Sequence, residues 1–375
     1  MRILIAPDKF KGSLSASAAA EAMARGFRSA WPDAELDLAP IADGGEGFAE
    51  ALHTALGAEW VTVPGVDPIG RTIAARYAWL EREKLAVIEM SEASGLWRVA
   101  PRDRDPLRAD TFGTGLLLAD AMARGARRVL MGLGGSATTD GGTGVARAIG
   151  WRFFDGDAGE FQPVPGNLGQ LARVERPAGL RLPEIVAACD VRNPLLGDRG
   201  TARVYSPQKG ADARVVELLD RAMERLADVC ASDLGRDFRE TSGAGAAGGL
   251  GFGLLAFCDA TIRPGFDIVA EVVHLDARIA AADLVVTGEG RIDDQTLDGK
   301  GPAGIAALAR RAGKQVIGFA GSITGKAGRA GLFDSLIPIS DGQMAPADSM
   351  REAAPLLECA AAQAARRFRD GGWPP

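Results

Sequence analysis

Short apolar runs recur along the chain, separated by alanine-rich segments whose apolar residues return at three- and four-residue steps. The runs predict strands at Arg2–Ala6, Leu36–Ile41, Ala86–Met90, Arg128–Met131, Ile185–Cys189, Leu284–Thr287, Gln315–Ala320 and Leu336–Ile339. In the first predicted helix, Ala19, Ala22, Met23, Gly26, Phe27 and Ala30 share one face, and Ser13 or Ser15 offers an N-cap. Further helices are predicted over Thr114–Arg124, Val215–Ala231 and Ala303–Ala312, the last with Pro302 near its first turn, where proline is tolerated. Strands alternating with helices predict an α/β fold with a largely parallel sheet. The alternation is regular near both chain ends and less regular from about Glu59 to Phe266. This pattern predicts one α/β domain made of residues 1–58 plus 267–375, with a second α/β domain, 59–266, inserted.

Composition narrows the class. Of 375 residues, 47% are hydrophobic and 25% charged, the profile of a folded globular chain. Aromatics are only 6%, so Ala, Val, Leu and Ile carry most of the packing, with Trp60, Trp79, Trp97 and Trp151 expected to pack in the core or between domains. The net charge of -6 gives no basic face for nucleic acid. It leaves room for a local positive pocket that takes a small anion. Cys189, Cys230, Cys258 and Cys359 form no CxxC pair, and His53 and His274 are far apart, which argues against a zinc site and for reduced core cysteines. The first apolar run ends at Pro7 and Asp8, too soon for a signal peptide, and residues 241–258 hold too few large apolar side chains to span a bilayer. A soluble, cytoplasmic protein is expected, with no membrane partner.

Charge then gathers where strands end. The first strand leads to Asp8, Lys9 and Lys11; the second to Asp43 in ADGGEG; Ile185–Cys189 to Asp190; and Leu284–Thr287 to Glu289, with Asp293 behind it. Ligands of open parallel sheets bind beyond the carboxyl ends of the strands. Clustered carboxylates need a positive partner, and Mg²⁺ takes oxygen ligands that it shares with substrate phosphates. Lys9, Lys11, Lys209 and Lys300 sit in glycine-containing turns, where lysine suits phosphate as a point charge.

The 49 glycines cluster. GLGGSATTDGGTG (132–144) follows a strand and precedes a helix, so its N–H groups suit an anion. GAGAAGGLGFG (243–253) is a second cluster. Gly132, Gly134 and Ala137 fit the GxGxxA dinucleotide fingerprint on paper, with Asp155 beyond, but Asp140-Gly141-Gly142 interrupts the helix start. GSITGKA (321–327) imitates a P-loop but is one residue short and has Ala327 where Ser or Thr is required.

Eight blocks, in order, resemble the glycerate kinase family: APDKFKGSLSA (6–16), ADGGEG (42–47), TFGTGLLL (111–118), GLGGSATTDGG (132–142), CDVRNPLLG (189–197), SPQKGA (206–211), GAAGGLGFG (245–253) and TGEGRIDDQTLDGKG (287–301). They run through nearly the whole chain. The resemblance implies ATP-dependent phosphorylation of D-glycerate, with 2-phosphoglycerate favoured over 3-phosphoglycerate as the product, in two α/β domains, one a Rossmann-like parallel-sheet domain and the other a second α/β domain inserted in it. Two positions depart from the family's pattern: Thr139, where asparagine is expected, and Ser206, where glycine often stands.

On this footing, Asp190, Glu289 and Asp293 are expected to hold Mg²⁺. Lys9 and Lys11 offset charge on the phosphates or the glycerate carboxylate. Gly134, Gly135 and Ser136, with Gly248, Gly249 and Lys300, bind the nucleotide. Asp43 or Asp8 orients the attacking hydroxyl and accepts its proton. Arg71, Arg192, Asn193 and Lys209 are expected at the substrate, arginine gripping a carboxylate in a bidentate fork. Thr111, Gly113 and Thr114 are expected to cap a helix or line the cleft. Two rivals remain at this point, an NAD-dependent hydroxy-acid oxidoreductase resting on 132–137, and a non-catalytic glycerate or nucleotide sensor.

Overall fold

The computed structural model describes residues 1–293, 301–325, 331–340 and 342–371. The chain divides into two compact units. Unit 1 comprises Met1–Asp43, Glu50–Gly57 and Phe266–Pro375; unit 2 comprises Gly44–Ala49 and Ala58–Gly265.

Unit 1 holds a five-stranded, wholly parallel sheet in the order β13 (Ser335–Pro338), β12 (Gln315–Ile323), β11 (Leu284–Ile292), β1 (Arg2–Ile5), β2 (Glu35–Leu38). Its central strands are apolar on both faces, as helices covering both sides require: Ile3, Leu4, Ile5, Leu284, Val285 and Val286 are wholly buried. The helix Ala16–Ala30 starts at Ser15, whose hydroxyl accepts from Ala18 N–H. It packs against the helix Ala353–Arg369, the two lining one core with alanines, Met23, Phe27 and Leu357. A Cβ on Gly26 would stand 2.4 Å from Glu358 O, so the two backbones approach closely only because this residue is glycine.

Unit 2 holds a mixed sheet in the order β10 (Thr261–Arg263), β9 (Glu184–Ala188), β6 (Arg128–Gly132), β5 (Leu85–Glu89), β4 (Thr72–Leu80), β3 (Glu59–Val66). The first four are parallel; β4 and β3 add antiparallel. A small hairpin, β7 (Arg152–Asp155) and β8 (Leu171–Glu175), stands apart. The antiparallel pair β3–β4 lies outside the strands expected from sequence. Its turn is Asp67–Gly70, where Asp67 Oδ1 accepts from Ile69 and Arg71 N–H and Gly70 takes φ +85°. Pro64 is tolerated because β3 is the sheet's edge.

Trp79 and Trp151 pack in the unit 2 core, whereas Trp97 is 62% exposed, against expectation. Cys189, Cys230 and Cys258 are buried, but Cys359 is exposed on the outer face of the last helix. Among the described residues no helix is long and apolar enough to cross a membrane.

Candidate active site

Unit 1 collects its charged groups along the carboxyl edge of its sheet. The backbone ladder continues past the strands: Ala39 N–H donates to Ile5 O and Ile41 N–H to Pro7 O, while Ala6 and Asp8 N–H donate to Val286 O and Gly288 O. Asp43, Asp8 and Glu289 therefore stand at three adjacent strand exits. Asp8 is buried, and its Oδ1 accepts from Lys9 N–H at 2.6 Å. Lys9 Nζ donates to Asp43 Oδ1 at 3.2 Å. Lys11 belongs to the same edge: a Cβ on Gly290 would stand 3.0 Å from Lys11 N. Asp293 follows the end of β11 and is half-buried. Lys300 lies outside the described residues.

Unit 2 builds its glycine loop beyond the carboxyl end of its own strand β6. Leu133 N–H donates to Ala188 O on one side and Met90 N–H to Gly132 O on the other. Farther on, Leu96 N–H donates to Gly135 O and Ala137 N–H to Ser94 O. The loop is thus held by its carbonyls and flanks. Among the described residues, the N–H groups of Gly134, Gly135 and Ser136 donate to no protein acceptor. Gly135 is exposed with φ +66°, the left-handed turn that makes a concave row of donors. The Gly44–Ala49 segment of unit 2 packs on this loop: a Cβ on Gly134 would stand 2.6 Å from Gly45 Cα, and one on Gly132 2.9 Å from Gly44 O. Glu89, at the end of β5, fixes that segment. Its Oε2 accepts from Gly47 and Ala49 N–H, and its Oε1 from Ser91 Oγ at 2.6 Å. Burial pushes the Glu89 carboxyl above the ordinary range.

Asp140 anchors the far end of the loop. Wholly buried, it accepts from Thr111 N–H and Oγ1 and from Gly142 and Gly144 N–H, at 2.7–3.2 Å. Thr111 occupies the N-cap position of the helix Phe112–Ala123 without capping it, because its hydroxyl serves Asp140; Asp110 instead accepts from Phe112 N–H. Burial, reinforced by the Asp140 charge, pushes the Asp110 carboxyl up to about 6. The helix proper begins only at Thr143, after two left-handed glycines, so the dinucleotide pattern over 132–137 is not followed by a helix in register.

Several residues expected at ligands have other surroundings. Lys209 is 2% exposed, and its Nζ donates to Ser136 Oγ at 2.9 Å and to Thr138 O. It lies inside the protein against the glycine loop. Desolvation pushes its amine down to about 7, against the opposing pull of Asp140. Gly248 and Gly249 are likewise buried. A Cβ on Gly248 would stand 1.8 Å from Thr138 O, and one on Gly249 3.0 Å from Gly141 Cα, so the pair packs as support for the loop. Arg71 spends Nε on Asp67 Oδ2 and Nη2 on Arg98 O, bracing its own turn. Asn193 gives its amide to Arg199 O and accepts from Tyr205 OH, closing the loop after β9. Arg192 is exposed on that loop, and Asp190 Oδ1 accepts from Gly265 N–H at 3.1 Å.

Among the described residues, no three His, Cys, Asp or Glu side chains come together as a metal cluster. The carboxylates present are nonetheless hard oxygen donors, and Asp8 and Glu289 occupy neighbouring exits in unit 1. That set fits a cation that completes its shell with water and phosphate. Sequence reasoning missed Glu89 and Asp140. Glu89 was open to the same rule as the others, an acid ending a strand. Asp140, by contrast, reads as turn punctuation in TTDGG.

Comparisons with known proteins agree with one another. The profile of the glycerate kinase family matches residues 3–369. A glycerate kinase of Bacillus subtilis (strain 168) is 43% identical over 363 residues, covering 96% of this chain and 95% of its own. A glycerate 2-kinase of Escherichia coli (strain K12) is 44% identical over 336 residues, covering 88% and 87%. The crystal structure of a Salmonella typhimurium LT2 protein, provisionally named glycerate kinase 2, superposes with a TM-score of 0.87 at 41% identity, covering 99% of both chains.

Proposed function

The chain belongs to the glycerate kinase family, and from that premise we propose that it transfers the γ-phosphoryl group of ATP to D-glycerate, with the 2-hydroxyl as acceptor. The observation that carries the reading is the row of N–H donors at Gly134, Gly135 and Ser136, directly beyond β6. Phosphoryl transfer is chiefly positioning and charge stabilisation, and such a row offers both to a polyphosphate.

The groups at unit 1's strand exits supply the rest. Asp43 orients the attacking hydroxyl and accepts its proton, with Asp8 the second candidate for that role. Lys9, whose Nζ donates to Asp43 Oδ1 at 3.2 Å, holds that carboxylate in place. Lys11 offsets negative charge on the phosphates. Glu289 and Asp293 of unit 1 would hold Mg²⁺ directly or through water, and Asp190 of unit 2 is a further acidic candidate for that role. When bound, that ion neutralises charge on the phosphate oxygens. Arg192 grips the glycerate carboxylate, a role its exposed guanidinium is open to fill.

Neither rival gains support. The oxidoreductase reading needs a helix in register with 132–137, and the Bacillus subtilis and Escherichia coli relatives that match along the chain are named kinases, not sensors. Phosphorus NMR of the product from D-glycerate, ATP and Mg²⁺ tests the proposal. A phosphorus split by the single C2 proton marks 2-phosphoglycerate, and one split by two C3 protons marks the 3-isomer. Absence of any new phosphate ester overturns the reading.

A further inference from the structure

Lys209 is a buried amine that the proposed mechanism leaves unused. It ends the segment Ser206–Lys209, which is stitched to the glycine loop twice. Lys209 Nζ donates to Ser136 Oγ and Thr138 O, and Thr139 Oγ1 lies 3.2 Å from Ser206 Oγ. Both lysine contacts fall on the hydroxyl and carbonyl groups of a loop in which the Gly134, Gly135 and Ser136 N–H groups donate to no acceptor among the described residues. A lysine removed from water is costly unless something there needs a positive charge. The charged groups around it are few: Asp140 farther along the same loop, Asp110 beyond Asp140, and Arg104, whose Nη1 donates to Gln208 O.

We propose that Lys209 is a positioning residue for nucleotide phosphate: it fixes Ser136 and Thr138 so that the Gly134–Ser136 N–H row faces outward, and its ammonium charge stabilises a polyphosphate held there. The inference rests on the reading that this row binds the nucleotide. It deepens that reading by adding a proton to the binding event. The free protein holds the amine part-neutral near pH 7, because burial disfavours the charged form. A polyphosphate nearby favours the charged form, so binding draws a proton from the buffer onto Nζ.

The test uses the full chain with Mg²⁺, ATP and D-glycerate. Isothermal titration of ATP at pH 7.5, in two buffers of different ionisation heat, reads proton uptake, expected at about half a proton or more for the wild type. KM for ATP is expected to rise with pH through 7. In Lys209→Met, KM for ATP rises about tenfold or more, the cost of a lost charged hydrogen-bonding group. The variant's kcat and KM for glycerate stay within about threefold, and its KM for ATP lacks the lysine's inflection. Comparison with the variant subtracts the nucleotide's own titration. Ser136→Ala, which removes one partner and keeps the N–H, gives a smaller rise of the same kind. Should Lys209→Met fail to fold, the wild-type proton uptake and the Ser136→Ala profile decide the matter. Unchanged KM for ATP in both variants, or wild-type binding without proton uptake, overturns the inference and leaves the kinase reading standing. No ATP binding by the wild type overturns both.

Discussion

Thr139 Oγ1 and Ser206 Oγ lie 3.2 Å apart inside unit 2, and both residues are wholly buried. These are the two positions that depart from the pattern the sequence resemblance leads one to expect, threonine standing where asparagine is expected and serine where glycine often stands. The hydrogen bond makes them one change instead of two: the hydroxyl added at 206 meets the shorter polar group at 139. Thr139→Asn alone is expected to crowd Ser206, and Ser206→Gly alone to strand the Thr139 hydroxyl, each at a cost of about 1–3 kcal/mol. The double variant regains most of the loss. A coupling energy of about 0.5–3 kcal/mol from denaturant unfolding of the four proteins is the expected result, and simple additivity counts against the pairing.

The proton acceptor is decided between neighbours. Asp43→Asn is expected to lower kcat by about 10²–10⁴-fold with little change in KM for ATP. Asp8→Asn is expected to do less, since the Asp8 carboxylate is already engaged by Lys9 N–H at 2.6 Å. Steady-state kinetics of the two variants checks the order, and near-native turnover in both removes this pair from the chemistry.

Two left-handed glycines separate conformation from contact. Gly57 takes φ +62° with nothing within 4 Å of an added Cβ, whereas Gly248 takes φ +75° with Thr138 O at 1.8 Å. Gly57→Ala is expected to cost about 1–2 kcal/mol, the left-handed penalty alone. Gly248→Ala adds displacement of the glycine loop, so it is expected to cost several kcal/mol more and to raise KM for ATP as well. Thermal melts and ATP titration of both variants make the comparison.

The two arginines proposed from sequence for the substrate are expected to part company. Arg71→Lys leaves glycerate binding within about threefold, because this side chain already serves Asp67 and Arg98 O in its own turn. Arg192→Ala raises KM for glycerate by about 10–100-fold, the cost of losing a charge-assisted contact. Glycerate saturation curves read both, and a large effect at Arg71 with none at Arg192 reverses the assignment.

Seven of the eight expected strands recur within about three residues at their ends, and the eighth, β11, runs five residues past Thr287 to Ile292, since apolar runs buried on both faces favour a parallel sheet covered by helices. The antiparallel pair β3–β4 was harder to see. Its residues alternate between buried and exposed only imperfectly, and Pro64 and Gly65 read as breakers until an edge position admits them. At the site, residue type was legible but direction was not. Lys209 and Gly248 stand in the glycine-rich motifs that suggest phosphate binding, yet both are turned inward, and only the packing of one loop on another reveals it. Asp140 was hidden because a buried acid satisfied by four donors has the same sequence signature as a turn.

Asp110 gives a pH dependence whose sign follows from its surroundings. Arg147, at 3.3 Å, and Phe112 N–H favour the charged carboxylate, but burial and the neighbouring Asp140 outweigh them and hold the group near 6, against an ordinary 3.8. Between about pH 4 and pH 6 the folded protein therefore keeps a proton that the unfolded chain releases. The stability this contributes is fully present below about pH 4 and is lost as pH rises through 6. Asp110→Asn has no proton to lose, and its amide oxygen still accepts from Phe112 N–H. The variant is expected to gain on the wild type by about 1–3 kcal/mol as pH rises from 4.5 to 7. Melting temperatures of the two proteins across that range check it: a gap that stays flat, or narrows toward neutral pH, means that Asp110 is ionised throughout.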